Sequence, residues 1–129
     1  MEKNKQQMML EFNILENQAK QIEQQILLLD QQLMDFQILQ KSLEDAKKVK
    51  NQKVLSPIGK GIFFESEAKE IKEVFLDIGS GIVLKKDIGK ANEIIEKQKE
   101  KFLDARIELS NELGKLIQRI NEIGKEIQI

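Results

Sequence analysis

Cysteine, histidine, tyrosine and tryptophan are all missing from these 129 residues, and proline occurs once. The lack of cysteine excludes a disulfide framework and fits a reducing compartment. Without histidine or cysteine the commonest general base, the thiol nucleophile and the best transition-metal ligands are gone. No catalytic residue, metal site or cofactor is therefore expected. Carboxylates are plentiful but sit at helical spacings beside lysines, the pattern of a solvated helix flank. Aromatics make up 5% of the chain, too little volume for a thick globular core. A net charge of -1 provides no field toward nucleic acid or an anionic membrane. The longest apolar run of the first half, Ile26-Leu27-Leu28-Leu29, is far short of a membrane span. Residues 1–7 lack the apolar stretch of a signal peptide. The expectation is a single-domain, soluble, cytoplasmic protein that is not an enzyme and has no nucleic-acid or membrane partner.

What is present divides the chain into three. Residues 5–50 contain neither glycine nor proline, residues 53–86 hold Pro57 and Gly59, Gly61, Gly79 and Gly81, and residues 87–129 return to a helical pattern. In the first segment Met8, Phe12, Leu15, Ala19, Ile22, Ile26, Leu29, Leu33, Phe36, Gln40 and Leu43 follow one another at alternating steps of four and three. That is a heptad seam, apolar at every position but Gln40. Ala91, Ile95, Gln98, Phe102, Ala105, Leu109, Leu113, Leu116, Ile120, Ile123 and Ile127 form a second seam, with a stutter at Ala105-Leu109-Leu113. Both span about 54 Å at 1.5 Å per residue. Equal lengths joined by an insert predict an antiparallel pair, with Met8 near Ile127, Phe12 near Ile123 and Ile26 facing Leu109. Gln40 and Gln98 fall one layer apart and are expected to hydrogen-bond.

The insert carries four short runs rich in β-branched and aromatic residues: Val54–Ser56, Ile62–Ser66, Glu73–Ile78 and Ile82–Lys85. The turns between them predict two β-hairpins, and Asp87 is placed to cap the following helix. The predicted fold class is mainly α with a small β region: a long antiparallel two-helix coiled coil connected by two β-hairpins. Consecutive apolar residues leave both strand faces needing cover. Together with the open strand edges, this points to oligomerisation through Val54, Leu55, Ile58, Ile62, Phe63, Phe64, Val74, Phe75, Leu76, Ile78, Ile82, Val83 and Leu84. The glycines are read as hairpin turns, because Gly59-Lys60-Gly61 has neither the following hydroxyl nor the spacing of a phosphate loop. Lys47, Lys48, Lys50 and Lys53 are read as a solvated helix end.

At the free ends of the helices Met8, Met9, Leu10, Phe12, Ile14, Ile123, Ile127 and Ile129 cluster in sequence. Met9, Leu10, Ile14 and Ile129 exceed what a two-helix seam requires. The off-seam residues Leu27, Leu28, Met34, Ile38 and Leu39 leave three destinations open: the insert, a neighbouring subunit or a client.

Helix, two hairpins, helix resembles the layout of an alpha-class prefoldin subunit. Val54-Leu55-Ser56-Pro57-Ile58-Gly59-Lys60-Gly61 is similar to that family's first strand and proline-glycine turn. Val74-Phe75-Leu76-Asp77-Ile78-Gly79-Ser80-Gly81-Ile82-Val83-Leu84-Lys85-Lys86-Asp87 is similar to its strand, Gly-x-Gly turn and strand before the second helix. Beta-class members have one hairpin, so two favour the alpha class, and the short termini resemble archaeal members. Ile88-Gly89-Lys90 departs from the family, which carries acidic residues there. The resemblance implies an ATP-independent chaperone subunit in a hexamer of two alpha and four beta chains, joined through a β-barrel platform. It implies that the coiled-coil tips, here Met8, Met9, Leu10, Phe12, Ile14, Ile123, Ile127 and Ile129, bind non-native client proteins and pass them to a group II chaperonin. A coiled-coil scaffold or filament-forming protein assembled through the same hairpins is the competing expectation.

Overall fold

The computed structural model describes residues 2–127. In chain order the elements are α1 (Glu2–Lys47), β1 (Lys50–Gly59), β2 (Ile62–Glu70), β3 (Glu73–Gly79), β4 (Ile82–Asp87) and α2 (Ile88–Ile127). They fall into two compact units. One takes the chain up to Met34 and from Lys99 onward, and the other is Asp35–Gln98.

In the first unit two helical stretches pair along the expected seam. Every seam position of α1 from Met8 to Leu33 is at least half-buried, with Ala19 and Ile22 fully so. From Phe102 to Ile127 the same holds on α2, where Ile123 is sealed completely. The pairing is antiparallel: Asp30 bonds Arg106, while Glu11, earlier in the chain, bonds the later Arg119. Phe12 places its Cε2 3.8 Å from where a Cβ on Gly124 would stand, which agrees with the register read from the seams.

The second unit is built around Leu43 of α1 and Ile88, Ala91 and Ile95 of α2, with Phe36, Ala46, Ile71, Val74 and Leu76 packed against them. Helix α1 ends at Lys47, three residues before the expected limit. Its last turn tightens, Lys48 N–H donating to the Asp45 carbonyl at 3.1 Å and Val49 N–H to that of Ala46 at 3.2 Å. Lys50 and Lys53 therefore belong to β1 and not to a helix end. In the ladder Lys50 stands opposite Glu70 and Lys53 opposite Glu67.

The two hairpins are separate two-stranded antiparallel sheets, β1 with β2 and β3 with β4. Both close on the same motif, Ile-Gly-x-Gly-Ile: Ile58–Ile62 and Ile78–Ile82. In each, the two central residues have positive φ, Lys60 (43°) with Gly61 (80°) and Ser80 (54°) with Gly81 (75°). This is the mark of a type I′ turn, whose twist matches that of the flanking strands. In each, too, the register slips one residue before the turn, leaving Ile58 and Ile78 bulged.

Helix α2 begins as expected at Asp87, whose Oδ1 accepts the Lys90 N–H at 2.7 Å. Ile88 is only 5% exposed and belongs to the core. Burial there explains why an apolar side chain stands at a position where the helix dipole alone would favour a carboxylate.

Candidate functional site

At the end of the first unit where α1 begins and α2 finishes, the sequence-predicted tip residues separate into two groups. Met9, Leu10 and Ile14 are exposed at 52%, 62% and 48%. Met8, Phe12 and Ile127 are half-buried, and Ile123 is fully buried. The heptad decides this division: a residue in phase with the seam is turned onto the opposite helix, and only those out of phase face outward. Ile123 is thus part of the local core in the paired helices, not of an outward surface. Ile129 lies outside the described residues. Ile117, 42% exposed, adds an apolar side chain that the sequence reading passed over because it considered only the chain ends.

Two ion pairs bridge the helices of this unit, and both were missed. Arg106 grips Asp30 with two nitrogens, Nε on Oδ1 and Nη2 on Oδ2 at 3.3 Å, and its Nη1 lies 3.5 Å from the Ser110 hydroxyl. Hydrogen bonding from Arg106, opposed by desolvation and helped by its charge, holds the Asp30 carboxyl below its ordinary range. Arg119 donates to Glu11 at 3.2 Å and to Glu122 at 3.4 Å. These are the chain's two arginines. In a sequence whose other cations are all lysine, arginine was the available signal, since its planar fork suits fixed pairing as lysine does not.

The expected Gln40–Gln98 bond does not form. Gln98 is exposed, and the Gln40 amide donates instead to Glu96 Oε2 at 2.5 Å. Half-burial passes to Lys99, whose aliphatic stem can cover the seam while its ammonium stays wet.

In the second unit the pleat sorts the hairpin residues by face. Val74 and Leu76 turn onto the unit's own core, and Leu84, opposite Leu76, is half-buried beside them. The other face of that hairpin carries Phe75, 70% exposed, and Val83. The Lys85 ammonium lies 6.0 Å from the Phe75 ring centroid and pairs with Glu73 at 3.5 Å. On the first hairpin Val54, Leu55, Ile58, Ile62, Phe63 and Phe64 are all exposed. An open groove of about 430 Å³ runs beside β3, lined by Leu39, Phe75, Ile78, Ile94 and their neighbours. Leu39, one of the off-seam residues, therefore lies against the insert. The first hairpin has no core beneath its apolar side chains, and the second is covered on one face only.

Against known proteins, the family model described as "Prefoldin subunit" matches residues 15–129. The chain belongs to the prefoldin family. Among curated prefoldins it is 31% identical to prefoldin subunit alpha of Methanobrevibacter smithii, over 92% of this chain and 76% of that one. It is 28% identical to prefoldin subunit alpha of Pyrococcus horikoshii, over 92% and 81%. These relatives agree with the two hairpins in placing it in the alpha class. Among solved structures it resembles a filamentous PFD from Methanocaldococcus jannaschii determined by cryo-EM, with a TM-score of 0.78 and 20% identity over 90% of this chain and 97% of that one. At that identity the likeness speaks for the prefoldin fold. Membership makes the chain a chaperone-type subunit and not an enzyme. No helix among the described residues is long and apolar enough to cross a membrane.

Proposed function

We propose that this prefoldin chain is a cytoplasmic, ATP-independent holdase subunit, assembled with beta-class chains as two alpha and four beta. In this reading it captures non-native protein at the free end of its paired helices and passes it to a group II chaperonin. The observation that carries the proposal is the exposure of Met9, Leu10 and Ile14, three large apolar side chains that the helix pair does not use. A flexible thioether beside branched aliphatic groups suits a surface that must accept unlike partners. Phe12, Ile123 and Ile127 support that surface from beneath. Assembly is assigned to the exposed hairpin residues Val54, Leu55, Ile58, Ile62, Phe63, Phe64, Phe75, Ile78, Ile82 and Val83. Val74, Leu76 and Leu84 hold the second hairpin in place.

The test is an aggregation assay with a chemically denatured client, using the hexamer formed with a beta-class chain. The triple variant Met9→Ser, Leu10→Ser, Ile14→Ser should lose most of its protection while native mass spectrometry still finds the parent stoichiometry. Undiminished protection would remove the tip from the mechanism and leave the scaffold reading, which the open strand edges serve equally well.

A further inference from the structure

Beyond its first turn helix α2 contains two glycines, Gly114 and Gly124. A glycine inside a helix weakens it relative to alanine, because its backbone has more freedom to lose. At Gly124 the packing within the chain does not ask for one. A Cβ there would meet the Phe12 Cε2 at 3.8 Å, an ordinary van der Waals separation. Nor does Gly124 cap the helix, which runs on to Ile127, and its φ is not positive as it is at the four hairpin-turn glycines.

The missing side chain leaves a groove. Phe12, Ile120 and Gly124 line its apolar part and Glu16, Asn121 and Lys125 its polar part, around about 490 Å³ of open space. All six lie in the first unit. Met9, three residues before Phe12, and Ile117, three before Ile120, stand one turn away on the same sides of their helices, and both are exposed. The groove thus continues the apolar surface of the tip. Among the described residues the side chains of Glu16, Asn121 and Lys125 make no hydrogen bond or ion pair.

These three side chains are chemically complementary to a peptide backbone. A carboxylate accepts, an ammonium donates and a carboxamide does both. An extended chain presents an N–H to donate and a C=O to accept at nearly every residue, whatever its sequence. We propose that this groove binds an extended segment of a non-native chain. One large apolar side chain seats on Phe12 beside Gly124, and the neighbouring main-chain groups are held by Glu16, Asn121 and Lys125. The slot selects apolar size, while the polar contacts fall on backbone that every client has. A folded protein is refused, because its main-chain groups are already paired in helices and sheets. This inference rests on the holdase reading and deepens it.

The test uses the hexamer formed with a beta-class chain. Its probe is a fluorescein-labelled peptide of glycine, serine and threonine with spaced phenylalanines, titrated by fluorescence anisotropy. Gly124→Ala should weaken binding and Gly124→Leu weaken it further, several-fold in all, while both melt at or above the parent temperature. Gly114→Ala, where a Cβ meets nothing within 4 Å, should bind as the parent does. N-methylation of the amides flanking each phenylalanine should weaken binding to the parent several-fold, and to Glu16→Ala much less. Undiminished binding by Gly124→Leu overturns the proposal. The holdase reading survives that result if Met9→Ser, Leu10→Ser, Ile14→Ser loses the peptide in the same titration, and falls with it otherwise. A lowered melting temperature for Gly124→Ala would assign the glycine to packing and also overturn the proposal. So would equal losses on N-methylation for parent and Glu16→Ala. If the mass of the parent assembly rises with concentration and Gly124→Leu abolishes the rise, the groove belongs to a second copy and the proposal fails.

Discussion

Arg106 holds Asp30 by two parallel contacts, Nε to Oδ1 and Nη2 to Oδ2, across the pair of helices and 76 residues apart in sequence. A fork-on-carboxylate contact fixes direction and spacing at once.

The Asp30 carboxyl is held below its ordinary value of 3.8, first by the hydrogen bond from Arg106. A carboxylate depressed on folding contributes stability above its unfolded value, and that contribution is lost as pH falls through the lowered folded value. Thermal melts of Asp30→Asn should therefore lie below the parent at neutral pH. The gap should close as the solution is acidified past the ordinary carboxylate range. Arg106→Lys should recover only part of the difference, since a lysine cannot make both contacts. A gap independent of pH would show that the pair does not couple to folding.

Ile123 and Met9 form a second contrast. Ile123 is fully buried and Met9 about half exposed. Urea unfolding should show Ile123→Ala destabilised by about 2–5 kcal/mol, the range for removing a buried isoleucine side chain. Met9→Ser should stay within about 0.5 kcal/mol of the parent, as surface changes do. In the holdase assay Met9→Ser should be the more damaging of the two under conditions where both remain folded.

The type I′ turns set a third expectation. Gly61 and Gly81 both have positive φ, a conformation costing other residues about 1–2 kcal/mol. Gly61→Ala and Gly81→Ala should each lower the melting temperature. Lys60→Asn or Ser80→Asn should raise it, because asparagine tolerates that conformation better than lysine or serine. Scanning calorimetry distinguishes the two directions.

Removing the cap of α2 is the fourth. Asp87→Ala takes away the acceptor for the Lys90 amide and should cost about 0.5–2 kcal/mol. Hydrogen exchange at residues 88–91 should quicken well before the rest of α2 responds.

These features differ in how far the sequence reveals them. The seams were legible because a heptad is periodic, and the cap because Asp87 acts on an amide three residues away. The hairpin turns were legible from two Gly-x-Gly pairs. Strand lengths were not: the ladder carries β1 back to Lys50 and β2 on to Glu70, a non-local pairing that a search for β-branched runs passes over. Both arginine clamps were hidden for the same reason, since each needs the register of two distant segments. Gln98 was misplaced because one polar residue in a seam cannot show which way the helix turns locally. At the tip, surplus residues were separable from seam residues by phase alone. Grouping Phe12, Ile123 and Ile127 with Met9, Leu10 and Ile14 merged a support with a surface.

The repeated Ile-Gly-x-Gly-Ile turn has a consequence for the size of what this chain can build. Each hairpin is a sheet of its own, with its own open edge on either side and no strand shared between the two. In the vocabulary of step-growth polymer chemistry each hairpin is bifunctional. Under the proposed reading a single hairpin would continue a row, and a chain with two would join one row to another. Any limit on growth through these edges would then come from closure of a row into a ring.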